Sequence, residues 1–361
     1  MKNFSSEFRR PVQRKRAEMY LLAMLVCFGL SVALTRLFLE LSGYPQLGNS
    51  ELHIAHVLWG GLLLFAGVLV LLMFANPWAA YMGAVLGGVG MGLFMDEVGK
   101  FITQNNDYFY PWAAPIIYAF FLLTVIIYLR VNRNQPDDPR SAMYHALDLL
   151  SEVLDHDLEA AEKAELIGHL QAAQAEEENE DLVVLSQTLL TYIERVELQL
   201  APDRPDFWQR WEVRLKHWEE SHFNRMRLKW GLLLGLGLLA AISFGELAVV
   251  ARVQYVPDVL SEILIDLMLG GQVRGVRGVR WFTAFTALSG GIGLLYAVSI
   301  VLSVLGKERA GFNYAYAGLL LELTGANLLA FYFNQFSMIF LALVQLILLI
   351  AVMRYQRRFL T

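Results

Sequence analysis

The sequence predicts an all-α, polytopic integral membrane protein with about eight transmembrane helices and a helical insert on the cytoplasmic side. Three observations predict it. Hydrophobic residues fill 56% of the 361 positions and charged residues only 17%, where a soluble chain carries roughly 25% charged residues. Apolar stretches of about 20 residues, the length that crosses ~30 Å of hydrocarbon, recur along the chain. The acids are concentrated: 21 of the 34 lie between Asp137 and Glu220, against 7 Lys or Arg in the same stretch.

Taken in order, the spans are expected at about 18–40, 51–75, 79–103, 111–130, 229–251, 281–305, 312–333 and 336–354. The first follows "RRPVQRKRAEMY". Its apolar run is too long for a signal-peptide core and no small-residue cleavage site follows, so an uncleaved span is expected. It contains Cys27, the single cysteine, so no intrachain disulfide can form. The short connections "NPW" and "NQF" predict antiparallel hairpins. By the positive-inside rule, Arg9, Arg10, Arg14, Lys15 and Arg16 place the N-terminus in the cytoplasm. Counting spans then puts Arg130 and Arg133, Arg225 to Lys229, Lys307 and Arg309, and Arg354 to Arg358 on the same side, with the C-terminus. Arg274, Arg277 and Arg280 dissent. The acidic stretch before them, "YVPDVLSEILIDLMLGG", is too short to span and suits an amphipathic helix at the interface.

The domains expected are 1–130, an N-terminal membrane half of four helices; 131–226, an acidic cytoplasmic helical domain; and 227–361, a C-terminal membrane half of four helices. In the insert, "SAMYHALDLLSEVL" and "DLVVLSQTLLTYIERVELQL" carry apolar residues at three- and four-residue spacing, the pattern of amphipathic helices. "QAAQAEEENED" breaks the pattern between them. Trp208, Trp211 and Trp218 then lie on a helix leading into the fifth span, either anchoring it at headgroup level or filling the core of a small bundle. An acidic domain is repelled by an anionic leaflet, so a partner of the insert is expected to be protein.

A shift of 226 residues lays "GLFMDEVG" (92–99) on "GLLLELTG" (318–325), matching Gly92, Asp96 and Gly99 with Gly318, Glu322 and Gly325. This is the trace that a 4+4 parallel repeat would leave, as in some transporters. The second copy has no histidine.

Charges in hydrocarbon are expensive and mark pairs, edges or function. His53 and His56 open the second span on one helical face. From the turn at Pro77, His56 lies 21 residues back, and Asp96 and Glu97 lie 19 and 20 residues forward; His53 is 24 back and Lys100 23 forward. Two antiparallel helices rising ~1.5 Å per residue bring these five side chains to matching depths near the outer face. Gly88 and Gly92 share a stripe with Asp96, so this face packs against a neighbouring helix. Arg36, Glu40 and Glu246 reach a similar depth, and Glu322, with Asn327 nearby, is the second half's counterpart.

Three chemistries suit this set. Asp96 with Lys100 at i, i+4 makes a structural ion pair within a polar network. His53, His56, Asp96 and Glu97 make a donor set for Zn or Fe with an open position, able to polarise water. A protonatable cluster would serve ion or solute passage. No Walker A loop, dinucleotide fingerprint, nucleophile elbow or HExxH is present. His145, His156, His169, His217 and His222 scatter over the insert as expected surface residues. A net charge of −5 with no basic stripe excludes nucleic acid as a partner.

At "HIAHVLWGG" and "LFMDEVGKFITQNNDYF" the chain resembles a loose group of bacterial multi-pass membrane proteins with a His pair opening one span and an Asp-Glu pair late in the next. The resemblance covers about 60 residues, from His53 to Tyr110. It implies a membrane location and no particular reaction; with the span pattern, the bacterial inner membrane is expected. Three functional classes follow: binding or transport of a cation or small polar solute, with His56 and Asp96 central and His53, Glu97 and Lys100 flanking; a metal-dependent enzyme on lipid or envelope substrates, with Glu97 as base; and a sensor or scaffold whose cytoplasmic domain binds a protein. Beside the bilayer and that protein, a second copy of the chain is a further partner compatible with the sequence.

Overall fold

The structure, a computed structural model, describes residues 12–43, 55–132, 138–155, 157–175, 180–195, 200–201, 224–255 and 275–360. Among them all regular structure is helical: α1 Ala17–Ser42, α2 His56–Met73, α3 Pro77–Asp96, α4 Val98–Ile102, α5 Ala113–Val131, α6 Pro139–Leu154, α7 Ala160–Ala173, α8 Glu180–Arg195, α9 Arg225–Tyr255, α10 Gly275–Val304, α11 Glu308–Leu321, a π-helical turn Glu322–Ala326, α12 Asn327–Asn334, a 3-10 turn Gln335–Ser337, and α13 Met338–Phe359. His53, residues 256–271 of the expected interfacial stretch with Arg274, the tryptophans Trp208, Trp211 and Trp218, and His156, His217 and His222 lie outside the described residues.

Seven helical runs among the described residues are long and apolar enough to cross a membrane. Six coincide with the first six expected spans. The seventh, Glu308–Phe359, has 52 residues, about twice the length a bilayer needs. It is bent back on itself. Gln335 adopts φ 46°, ψ −133°, and α13 returns along α11, bringing the Phe312 and Tyr355 rings to 4.5 Å. Its two arms lie where the sequence places its last two spans.

The chain divides into two compact units, one of residues 1–27, 64–88 and 124–215, the other of 28–63, 89–123 and 216–361. The first contains residues 131–215, most of the expected insert. Pro139 opens α6 at its first position, where a missing N–H costs nothing and the fixed φ suits a helix. The Glu159 and Glu162 capping box opens α7. Ala142, Ala146 and Leu149 of α6 meet Leu166 and Leu170 of α7 and Ile193 of α8 in a closed apolar core. The basic N-terminal arm answers part of the insert's acidity: Lys15 Nζ lies 2.9 Å from Glu165, and Arg16 3.1 Å from Glu162. Two of the insert's histidines correct the surface expectation. His145 and His169 are only partly exposed, with rings 5.3 Å apart, because His145 bonds the Gln13 carbonyl and His169 faces Glu165.

Burial, and then the charge of Glu162, raise the Glu152 carboxyl above its ordinary value, with Arg16 opposing. An acid whose folded value is raised is destabilising when ionised. The deficit grows as pH rises through the window above the unfolded value of about 4.3 and is absent below it. Glu152→Gln is therefore expected to raise the thermal midpoint at pH 7 by a small increment and to leave it unchanged near pH 3.5. Melting curves of the full chain at the two pH values check this.

In the second unit, α9 to α13 pack around Leu236, Ile292, Tyr296, Phe312, Leu319 and Tyr355, all essentially sealed from solvent. At one end Glu308 joins them, accepting from Arg225, Lys229 and the Tyr355 hydroxyl at 2.8–2.9 Å. The same unit carries the Ser42 end of α1, the His56 end of α2 and the Asp96 end of α3. These approach closely through small residues. Ser31 Oγ donates to the Val89 carbonyl at 3.1 Å, against the stripe that contains Gly92. A Cβ on Gly60 would lie 2.7 Å from the Phe94 nitrogen and 2.8 Å from the Gly90 oxygen, so α2 and α3 touch backbone to backbone. Gly60 lies one turn from His56 on the same helical face.

Candidate functional site

Close packing of α2 on α3 sets the polar cluster. α3 ends at Asp96, and Glu97 leaves helical geometry (φ −90°, ψ 4°) before α4 begins. This break turns both carboxylates toward α2 instead of spacing them ~100° around a continuous helix. Asp96 is 0% and Glu97 1% exposed. His56 stands between them, Nε2 at 2.9 Å from Asp96 Oδ2 and Nδ1 at 2.9 Å from Glu97 Oε1. Lys100 Nζ lies 3.1 Å from Glu97 Oε2. The break thus corrects one expectation: Lys100 pairs with Glu97 at i, i+3 and not with Asp96 at i, i+4.

Two further residues complete the cluster. Arg36 of α1, 5% exposed, donates from Nε to Asp96 Oδ1 and from Nη2 to the Asp96 carbonyl at 3.0 Å. Its guanidinium carbon lies 4.0 Å from the Tyr108 ring centre and 3.5 Å from that of Phe336, a desolvated cation–π sandwich. Tyr108 donates its hydroxyl to Asp96 Oδ2 at 2.6 Å. Burial, and then the Asp96 charge, hold its phenol above the ordinary value, so it remains a donor. Tyr108 reaches Asp96 because its loop closes tightly on α4. Thr103 Oγ1 donates to the Gly99 carbonyl at 2.8 Å and accepts from Asp107 N–H at 2.7 Å. A Cβ on Gly99 would lie 2.8 Å from the Asp107 carbonyl.

The sequence signal for Arg36 was a lone arginine within an apolar span. Nothing singled out Tyr108 from the neighbouring aromatics, because its role depends on how the loop folds.

The hydrogen-bond inventory constrains the protons. A nitrogen and a carboxylate oxygen 2.9 Å apart with no proton between them would set lone pair against lone pair. The His56–Asp96 contact, which has hydrogen-bond geometry, therefore holds a proton between Nε2 and Oδ2. The contacts differ in quality: the Asp96 contact has hydrogen-bond geometry, whereas both Glu97 oxygens are held at ion-pair distance without it. Glu97 is thus the less satisfied carboxylate.

Among the described residues no group of three or more His, Cys, Asp or Glu is arranged to hold a metal ion. The Zn or Fe reading of His53, His56, Asp96 and Glu97 finds no fit in the residues described. Arg36, Lys100 and Tyr108 occupy the carboxylate oxygens, and His56 turns its nitrogens to two different acids.

Glu322 is not brought to this cluster. It opens the π-helical turn, a local widening frequent at functional positions, and accepts from the Tyr296 hydroxyl. Beside it Asn327 Nδ2 donates to Gln345 Oε1 at 2.7 Å, and the Tyr118 hydroxyl to the Leu323 carbonyl at 2.6 Å. Glu246 accepts from Ser289 Oγ at 2.8 Å. Asp96 and Glu322, aligned by the 226-residue shift, each sit where a helix loses regularity and each accept a tyrosine hydroxyl.

Comparison with known proteins found no match: no protein-family model, no curated protein and no solved structure aligns with the chain.

Proposed function

We propose that the chain is a multi-pass protein of the bacterial inner membrane with both termini and the acidic insert in the cytoplasm. It binds a cation at the His56–Asp96–Glu97 cluster and couples that binding to passage of an ion or small polar solute. The cation that the geometry favours is the proton. A single observation carries this reading: His56 places both ring nitrogens 2.9 Å from two different buried carboxylates. Such an arrangement holds one exchangeable proton, and ionisable groups at membrane depth mark ion and proton paths. The seven apolar helical runs support the membrane assignment, and the basic span boundaries support the orientation.

A second reading is favoured by the saturation of Asp96, which accepts from Arg36, His56 and Tyr108 together. In it the cluster only locks helix ends, and the insert recruits a protein partner.

Purified chain in proteoliposomes with a trapped pH-sensitive dye separates the two. An imposed potential is expected to drive proton flux in wild type, and His56→Gln and Glu97→Gln are expected to reduce it to the protein-free background. Wild-type vesicles that stay at background under every imposed gradient would remove the transport reading. A His56→Gln variant that also melts earlier would then favour the structural one.

A further inference from the structure

Beside the cluster, on the other side of Arg36, a groove of about 360 Å3 opens between the Ser42 end of α1 and the turn joining α12 to α13. That volume lies within the ~300–1,000 Å3 range of small-molecule sites. Its polar lining is Arg36, Glu40, Asn334, Gln335 and Ser337. Three of these have unspent capacity. Arg36 commits Nε and Nη2 to Asp96, while Nη1 is buried with no hydrogen-bond partner among the described residues. Such a donor is costly to leave unmet. Among the described residues Asn334 spends its amide only on the Met338 sulfur at 3.8 Å, a weak acceptor. Glu40 is exposed and has no cation partner among the described residues. It lies one turn beyond Arg36 on the same face of α1.

The apolar lining continues out of the groove along both helices. Leu37 runs on to Leu34 on α1, and Phe340 to Leu343 and Ile347 on α13, all exposed. A free polar solute would have no use for these stripes. Two acyl chains would.

We propose that this groove seats a phospholipid with an ethanolamine headgroup. The phosphate takes Arg36 Nη1 and the Asn334 amide, the ammonium takes Glu40, and the acyl chains follow the two stripes. The Phe336 ring covers the guanidinium, so the phosphate reaches Nη1 as that ring moves aside. Phe336 follows Gln335, whose positive φ of 46° is strained for a non-glycine residue, so the turn has a conformation to relax from. The lipid would thereby touch the same arginine that holds Asp96. The proposal rests on the membrane reading above, and not on proton transport.

Native mass spectrometry of the full chain in detergent tests it, with phosphatidylethanolamine, phosphatidylglycerol and inorganic phosphate as separate probes. Wild type is expected to retain the ethanolamine lipid over the glycerol lipid by about three-fold, the scale of one exposed ion pair. Glu40→Gln is expected to abolish that preference, and Asn334→Leu to weaken retention of both lipids. Both residues lie outside the His56 contacts, and melting curves that match wild type are expected for both variants. Equal retention of the two lipids by wild type, or a preference that survives Glu40→Gln, overturns the proposal. Displacement of the lipid by inorganic phosphate also overturns it, since the groove would then read phosphate alone. A chain that stays in aqueous solution without detergent overturns the membrane reading itself, an outcome distinct from a membrane-bound chain without lipid preference.

Discussion

Arg36→Met is expected to destabilise the protein by about 3–5 kcal/mol, the range for removing one partner of a buried ion pair. Asp96 is completely buried. Arg36 answers one of its carboxylate oxygens and its carbonyl, and among the described residues only His56 and Tyr108 remain on the side chain when it is gone. Methionine fills much of the volume between Tyr108 and Phe336 but supplies no charge. The double variant Arg36→Met/Asp96→Leu is expected to recover a large part of the loss, because no charge is left stranded and an apolar pair in such a site is often neutral or better. Denaturation in detergent of wild type, both single variants and the double variant gives the coupling directly. A single variant that melts with wild type would mean that Asp96 is held by the other contacts and that Arg36 is dispensable.

Gly60→Val is expected to abolish proton flux and lower stability by about 1–3 kcal/mol or more, the usual scale of overpacking. Here the obstacle is backbone: the added Cβ would meet the Phe94 nitrogen and the Gly90 oxygen at 2.7 and 2.8 Å. No rotamer change relieves that, so α2 must move away from α3. His56 lies one turn away, and neither its 2.9 Å hydrogen bond to Asp96 nor its 2.9 Å contact with Glu97 survives a shift of more than a few tenths of an ångström. The neighbouring Gly61 provides the control. A Cβ there meets nothing within 4 Å, and Gly61→Ala is expected to behave as wild type in both assays. If Gly60→Val keeps flux and melting point, the helix contact is not what positions the imidazole.

The shared level of these side chains was legible from Pro77 because a tight hairpin turns residue counting into distance. Two helices of equal rise must bring residues about 20 positions either side of the turn to one level, and His56, Asp96, Glu97 and Lys100 meet there. The pairing within that level was not legible. It depends on Glu97 leaving helical geometry, and a one-residue irregularity has no pattern in hydropathy or charge. The same holds for Glu322, whose π-helical turn carries no sequence mark, and whose partner Tyr296 comes from a helix 26 residues earlier in the chain.

By itself the sequence determined the all-helical class, the apolar runs and the composition of the insert, because these follow from period, length and the cost of exposed backbone in hydrocarbon, all local properties. Residue counting from Pro77 also put His56, Asp96, Glu97 and Lys100 at one level, where they pair. Only the tertiary structure decided that Arg36, Tyr108 and Phe336 join them, that Lys100 chooses Glu97, and that Glu322 belongs to a separate network. Those outcomes turn on which helix faces meet, how far two backbones approach, and how a loop closes. Each is settled by contacts between residues far apart in the chain.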